Sequence, residues 1–176
     1  MVTYVSGDIF KSPAQVLTNT VNCVGVMGKG VALEFKNRYP ALFSDYKTRC
    51  DQGGVKPGEP YLWEDDRVQV LNFPTKRHWK ENSRLQDIED GLKYLAAHYD
   101  EMSIQSIAMP PLGCGNGGLN WSDVRPLIDR YLGSIPDLDV YVYEPLQAAA
   151  QKDPSDQRET KPQSKQSGIA ARPAEL

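Results

Sequence analysis

The alternation of short β-branched segments with segments of helical periodicity limits the fold of this sequence more than any other feature. Six segments bounded by turn residues are predicted as strands, at residues 2–6, 15–20, 61–63, 68–73, 106–109 and 140–143. Four segments have helical spacing of apolar residues: 31–38 and 41–50, separated by Pro40, a long one capped by Ser83, and one opened by Ser122 and Asp123. Helices between strands require crossover connections, so we predict a three-layer α/β/α fold with a mixed, largely parallel six-stranded sheet.

Two compositions meet near residue 147 of this 176-residue chain. Residues 148–176 are rich in Gln, Lys, Pro, Ser and Ala and contain no aromatic residue. Such a segment buries too little apolar surface to offset its ordering entropy. We therefore expect one folded domain at 1–147 and a disordered tail or linker at 148–176, which either tethers a further domain or serves as a solubilising terminus.

Charge, cysteine and hydropathy patterns exclude several classes of protein. The net charge is −3, so any nucleic-acid contact has to come from a local basic patch. Cys23, Cys50 and Cys114 form no C-x-x-C pair and predict neither a disulfide framework nor, with only two histidines, a metal site. No apolar run approaches the roughly 20 residues of a membrane helix. We expect a cytoplasmic monomer without metal, cofactor or membrane contact.

Three loops follow predicted strands and should meet where such sheets bind ligands, beyond the carboxyl ends of the strands. They cover residues 7–10, 22–32 and 110–119. The second and third are glycine-rich and precede helices, so their N–H groups suit a pyrophosphate, although one such loop alone also fits a tight turn. Four glycines between Gly113 and Gly118 favour phosphate binding. Asp8 either accepts a hydrogen bond from an exocyclic amine or caps a turn.

Three motifs, in this order, resemble the macrodomain family. They are G-D-I-F, N-T-V-N-C-V-G-V-M-G-K-G-V-A-L and P-P-L-G-C-G-N-G-G-L-N-W. The resemblance covers residues 1 to about 145. More narrowly, the second motif together with N-F-P-T-K-R-H-W resembles the DNA ADP-ribosyl glycohydrolase antitoxins of the DarG type, which belong to a lysine-dependent branch of ADP-ribose hydrolases.

The resemblance implies that the chain binds ADP-ribose. Asp8 would bond the adenine amine, Ile9 would line the adenine pocket, and Asn22 would lie near the distal ribose. The other implied contacts belong to the glycine-rich loops: Gly28, Lys29, Gly30, Val31 and Ala32, and then Leu112, Gly113, Cys114, Gly115, Asn116, Gly117, Gly118 and Leu119. Cys114 is either a nucleophile or a packing residue, and packing is favoured because no histidine or acid lies nearby in sequence.

The resemblance also implies a catalytic lysine directly after a strand, a position that Lys76 occupies. It would attack the anomeric carbon of the distal ribose as a neutral amine, or stabilise the leaving group as an ammonium. Lys80, in the same loop, is the competing candidate. Protein-directed members of the branch carry an Asp where this chain has Gly117, and we hypothesise that Asn22 or an ordered water takes over part of that role.

A run of basic and aromatic residues lies beside Lys76. We predict that Arg77, Trp79 and Lys80 hold single-stranded DNA, and the alternative is an ordinary solvated loop. The expected function is a hydrolase that removes ADP-ribose from DNA, at thymine bases on single strands, and so reverses the modification made by a cognate ADP-ribosyltransferase toxin. The alternatives are a hydrolase of glutamate-linked ADP-ribose on proteins and a reader that binds ADP-ribose without turnover.

Overall fold

The computed structural model describes residues 1–146, which form six strands and four helices. The strands are β1 (Val2–Val5), β2 (Val16–Val21), β3 (Tyr61–Glu64), β4 (Gln69–Pro74), β5 (Ser106–Met109) and β6 (Asp139–Tyr143). The helices are α1 (Gly30–Arg38), α2 (Pro40–Asp51), α3 (Leu85–His98) and α4 (Trp121–Leu132). Within these residues, no helix has the length and apolar character needed to cross a membrane. The tail predicted at 148–176 lies outside the described residues.

The predicted order of strands and helices is confirmed. Wherever both ends of an element were predicted, the observed ends lie within one residue of them, and β5 coincides with its prediction. Pro40 separates α1 from α2 as expected, because it is the first residue of α2. A proline is tolerated there because the first turn of a helix has no use for its missing N–H.

The sheet order is β1-β6-β5-β2-β4-β3. Only β3 runs antiparallel to its neighbour, β4, and the other paired strands are parallel. The prediction of a mixed, largely parallel sheet is therefore confirmed. Because β5, β2 and β4 are parallel neighbours, the segments that follow them leave the sheet side by side at one edge.

Apolar side chains pack on both faces of the sheet, which confirms the three-layer fold. Leu71 and Phe73 of β4 belong to the core beneath α3 and α4, whereas Val70, between α1 and the sheet, belongs to the opposite core. A Cβ added to Gly91 of α3 would collide with the ring of Phe73. Glycine at this position therefore lets α3 lie directly against β4.

The prediction that Ser83 caps the long helix is wrong. α3 begins at Leu85, with Arg84 in the capping position and no side-chain hydrogen bond to the helix end. The Ser83 amide instead donates to the carbonyl of Gly117 at 2.8 Å. The buried Ser83 hydroxyl has no hydrogen-bond partner among residues 1–146. The glycine-rich loop after β5 thus holds Ser83 away from the helix terminus.

Candidate active site

The loops that follow β2, β4 and β5 enclose a cleft of about 740 Å³ at the carboxyl edge of the sheet. Its walls include Asn22, Val26, Gly28, Lys29, Gly30, Val31 and Ala32 from the first loop and the start of α1, then Thr75, Lys76, Trp79, Lys80, Glu81 and Asn82, and finally Pro111, Gly113, Cys114, Gly115, Asn116 and Gly117. The volume lies within the usual range for cofactor-sized ligands. The structure therefore brings the two glycine-rich loops and the lysine loop together around one cavity.

Asn22 organises the loop after β2. Its Oδ1 accepts hydrogen bonds from the amides of Val24 (3.1 Å) and Val26 (3.3 Å) and from the hydroxyl of Tyr46 (2.8 Å). Its Nδ2 donates to the carbonyl of Val26 at 2.7 Å. Asn22 lies in the cleft wall, but most of its hydrogen-bonding capacity is used by its own loop and by α2.

The loop after β5 turns so tightly that Gly117 cannot carry a side chain. An ideal Cβ at this position would overlap the Gly113 carbonyl oxygen and the Ser83 hydroxyl, and would lie 2.7 Å from the Gly113 carbonyl carbon. Gly113 itself has a φ of 70°, a conformation that favours glycine. This backbone has no space for an acidic side chain at 117, where the sequence departs from the protein-directed branch.

Lys76 lies in the third wall, two residues after β4 ends. The amides of Thr75 and Lys76 both donate to the carbonyl of Val21, at 2.9 and 3.3 Å, which fixes the start of this loop against the end of β2. The Lys76 side chain is half-buried, and its Nζ lies 3.4 Å from the carbonyl oxygen of Trp79. Lys76 therefore lines the cleft that the two glycine-rich loops also line, with its backbone fixed against the end of β2.

The basic and aromatic run after Lys76 divides into two parts. Trp79 is 48% exposed and lines the cleft, and Lys80 Nζ lies 5.0 Å from the centre of its ring. Arg77 turns away from the cleft and forms two hydrogen bonds of 3.0 Å with Asp87 of α3. Trp79 and Lys80 are therefore available to a ligand at the rim, whereas the Arg77 guanidinium is engaged by the protein.

Some residues implied by the resemblance do not line the cleft: Asp8, Ile9, Leu112, Gly118 and Leu119. Asp8 Oδ1 accepts from the amide of Phe10 at 2.9 Å and caps the 3₁₀ turn Ile9–Lys11. Ile9 is buried against the core beneath α1, and Leu112 is fully buried beneath α3 and α4. The turn-capping alternative for Asp8 is thus observed, and its Oδ2 has no partner among the described residues.

The loop after β4 also brings in two polar residues that the sequence analysis missed. Glu81 is the one carboxylate in the cleft wall as far as the structure describes the chain, and Asn82 lies beside Gly118. Their only sequence signal is their place between Lys76 and the following helix. With Lys29, Lys76 and Lys80 in the same walls, the cleft has an excess of positive charge that suits a pyrophosphate.

Cys114 lines the cleft as a protonated thiol. Burial raises the pKa of this thiol to about 11, and its Sγ lies 3.6 Å from the carbonyl oxygen of Leu112. A thiol is a poor nucleophile compared with its thiolate. This supports packing, rather than nucleophilic attack, as the role of Cys114.

The fold and the paired glycine-rich loops are those of a macrodomain. A family model described as Macro domain matches residues 18–128, and the chain belongs to this family, as its motifs predicted. The chain is 45% identical over 149 residues to a DNA ADP-ribosyl glycohydrolase of Mycobacterium tuberculosis. That match covers 82% of this chain and 42% of the relative, so the chain spans less than half the length of this curated relative.

Solved structures give the same result. The macrodomain of Mycobacterium tuberculosis DarG is similar to this chain with a TM-score of 0.80 and 44% identity, over 82% of this chain and 98% of that one. Thermosipho africanus DarTG in complex with ADP-ribose is similar with a TM-score of 0.79 and 40% identity, over 83% of this chain and 42% of that one. The predicted resemblance to DarG-type macrodomains is therefore confirmed.

Proposed function

We propose that this chain is a hydrolase that removes ADP-ribose from ADP-ribosylated DNA. The observation that carries the proposal is Lys76, a lysine in the wall of a cleft between two glycine-rich loops. The Mycobacterium tuberculosis relative is named a DNA ADP-ribosyl glycohydrolase, and the Thermosipho africanus structure contains ADP-ribose. Because the chain spans 42% of the first relative, the activity is proposed for the segment that the two proteins share.

The pyrophosphate of ADP-ribose is proposed to lie between the two glycine-rich loops. α1 begins at Gly30 in the cleft wall, so its unpaired N–H groups and the positive end of its dipole support an anion there. The loop at 113–118 offers further N–H groups, and Lys29 adds a charge. At the other end of the ligand, Asp8 accepts from the adenine amine through Oδ2, and Ile9 lines the adenine pocket.

Lys76 is proposed as the catalytic lysine in preference to Lys80. Its side chain is half-buried in the cleft wall, where it can reach a ribose held between the loops. The Lys80 side chain is exposed, and its ammonium packs over the Trp79 ring at the rim. Asn22 supports the reaction by holding the loop that covers the distal ribose.

The chemistry of Lys76 takes one of two forms, which differ in its protonation state. As a neutral amine, it forms a bond to the anomeric carbon while the bond to the DNA base breaks and the base takes up a proton. The ribose ring of this adduct opens to an imine with the lysine, and water hydrolyses the imine to release ADP-ribose and the free amine. As an ammonium, it stabilises the electron pair left on the departing base while water attacks. Borohydride treatment separates the two forms, because it reduces the imine of a lysine with ring-opened ribose to a stable amine detectable by mass.

The substrate strand is proposed to be single-stranded, with ADP-ribose on thymine. The Trp79 indole is 48% exposed and already stacks with the His78 ring, at a centroid distance of 5.6 Å, so it suits stacking with an unpaired base, and Lys80 suits a neighbouring phosphate. The resemblance to toxin-reversing antitoxins supports a cognate ADP-ribosyltransferase as the source of the modified DNA. We place this reaction in the cytoplasm and propose that the chain acts as a monomer.

The test is release of free ADP-ribose from a singly ADP-ribosylated, single-stranded oligonucleotide. The wild-type chain should turn the substrate over, Lys76→Ala should lose turnover while binding ADP-ribose, and Lys80→Ala should keep a measurable kcat. Turnover retained by Lys76→Ala would exclude Lys76 as the catalytic group. If the wild-type chain released nothing from DNA, the same assay with glutamate-linked ADP-ribose would distinguish a protein-directed hydrolase from a reader.

A further inference from the structure

Arg77, the residue directly after Lys76, forms an ion pair with helix α3. The Arg77 guanidinium meets Asp87 in a two-pronged arrangement, with Nε 3.0 Å from Oδ2 and Nη2 3.0 Å from Oδ1. The Asp87 side chain is only 5% exposed and lies in the first turn of α3, where a negative charge is favoured. The pair therefore joins the lysine loop to the first turn of α3, whose inner face packs in the core.

The backbone of the same loop is bound on its opposite side. The amide of Cys23 donates to the carbonyl of Arg77 at 3.3 Å, and the thiol of Cys23 lies 3.5 Å from the carbonyl oxygen of Lys76. The Lys76 amide donates to Val21 at 3.3 Å. Residues 75–77 are thus held by the end of β2 through the backbone and by α3 through the Arg77 side chain.

We propose that Arg77 and Asp87 are positioning residues that aim Lys76 at the distal ribose. This inference rests on the proposed catalytic role of Lys76. A lysine has a long flexible stem, so the region that its amine can reach depends on where its backbone is fixed, and the contact of Nζ with the Trp79 carbonyl oxygen narrows that region. The planar guanidinium supplies that fixation because its two parallel hydrogen bonds to a carboxylate specify an orientation as well as an attraction.

A second ion pair provides a control that distinguishes a positioning role from a contribution to stability alone. Arg125 of α4 and Glu144, which follows β6, are also 3.0 Å apart, with side-chain exposures of 42% and 7%. The side chains of Arg77 and Asp87 are 46% and 5% exposed. Neither Arg125 nor Glu144 lines the cleft. The two pairs match in distance and burial. They differ in that Arg77 and Asp87 share two hydrogen bonds, whereas Arg125 and Glu144 share one, and in their connection to Lys76.

The test compares Asp87→Asn with Glu144→Gln in the full chain. Each change neutralises the buried carboxylate of one pair, so both should lower the melting temperature. Asp87→Asn should also lower kcat about 10- to 100-fold, the range expected for a misplaced catalytic group, with the Kd for ADP-ribose unchanged. Glu144→Gln should keep the wild-type kcat. Equal kcat values in the two variants, or a loss of ADP-ribose affinity as large as the loss of kcat, would overturn the inference.

Arg77→Lys provides a second, milder test if Asp87→Asn fails to fold. It keeps the positive charge but loses the paired hydrogen bonds, so kcat should fall to a value between wild type and Asp87→Asn. A wild-type kcat for Arg77→Lys would contradict the positioning role. Failure of the wild-type chain to turn over any ADP-ribosylated substrate would refute the proposed function and this inference together, whereas failure of the ion-pair comparison alone would leave the proposed function standing.

Discussion

Gly117 and Ser83 pack so closely that a side chain at 117 would collide with the Ser83 hydroxyl, while the Ser83 amide donates to the Gly117 carbonyl at 2.8 Å. This contact joins the glycine-rich loop after β5 to the segment between Lys76 and α3. A substitution at 117 therefore has to move both walls of the cleft.

We expect Gly117→Asp to lose ADP-ribose binding and to gain no activity on glutamate-linked ADP-ribose. The smaller change Gly117→Ala should already lower the free energy of unfolding by about 1–3 kcal/mol, the usual cost of overpacking. Gly28→Ala is the stability control, since its Cβ would lie at an ordinary contact distance of 3.6 Å from Val26 Cγ1 and its φ is not positive. Titration with ADP-ribose and thermal unfolding measure these effects. Wild-type affinity in Gly117→Asp would show that the loop can open.

Removal of the rim contacts should change DNA affinity without changing affinity for free ADP-ribose. Trp79→Ala should weaken binding of a single-stranded oligonucleotide by about 1–3 kcal/mol, the contribution of one stacked base. Lys80→Ala should reduce the slope of log affinity against log salt by roughly one phosphate contact. Fluorescence anisotropy at several salt concentrations measures both. Lys47→Ala on α2, outside the cleft, is the charge control, and an equal slope change there would point to non-specific charge effects.

Loss of the Asn22 amide should loosen the loop after β2. Asn22→Ala leaves the amides of Val24 and Val26 without their acceptor, so we expect the free energy of unfolding to fall by about 1–3 kcal/mol and ADP-ribose affinity to fall as well. Tyr46→Phe removes a single donor to Asn22 and should cost about 1 kcal/mol with little loss of affinity. Unfolding and ADP-ribose titration of the two variants test whether Asn22→Ala has the larger effect. Wild-type affinity in Asn22→Ala would contradict this prediction.

Alkylation of Cys114 should be slow at neutral pH and should accelerate as the pH rises. Burial raises the pKa of this thiol to about 11, and only the thiolate reacts, so its rate should climb throughout the range from about pH 7 to pH 10. An unstructured cysteine, with a pKa of about 8.5, levels off within that range. Peptide mass spectrometry after iodoacetamide treatment gives both rates. A rate profile for Cys114 with its midpoint near pH 8.5, as for an unstructured cysteine, would contradict the buried environment.

The fold was predictable from local patterns because each strand and helix shows its own periodicity and each is bounded by turn residues. Pro40, for example, indicates the boundary between α1 and α2 from the sequence alone. The sheet order was not predictable in the same way, since β1 pairs with β6 from the far end of the described chain. Such pairing depends on contacts that no local pattern records.

The parts of the candidate site that depend on backbone conformation and on the direction of the strands were predictable from the sequence. The positions of the glycine-rich loops and of Lys76 follow from the motifs and from the rule that parallel strands present their carboxyl ends together. The contacts of Ser83 and Arg77 did not follow, because each depends on a distant partner, the Gly117 carbonyl and the Asp87 carboxylate. In sequence, Ser83 has the pattern of a helix cap, and no local pattern indicates the ion pair of Arg77 with Asp87.

The close packing of Gly91 against Phe73 has a consequence for the energetics of the cleft. The glycine lets α3 rest on β4 at the ring of Phe73, three residues before Lys76, and the same helix carries Asp87. Strand and helix therefore pack in direct contact, and the backbone of Lys76 follows from the end of this strand. In the proposed reaction, a lysine whose backbone is held in this way needs little reorganisation when charge develops on the ribose.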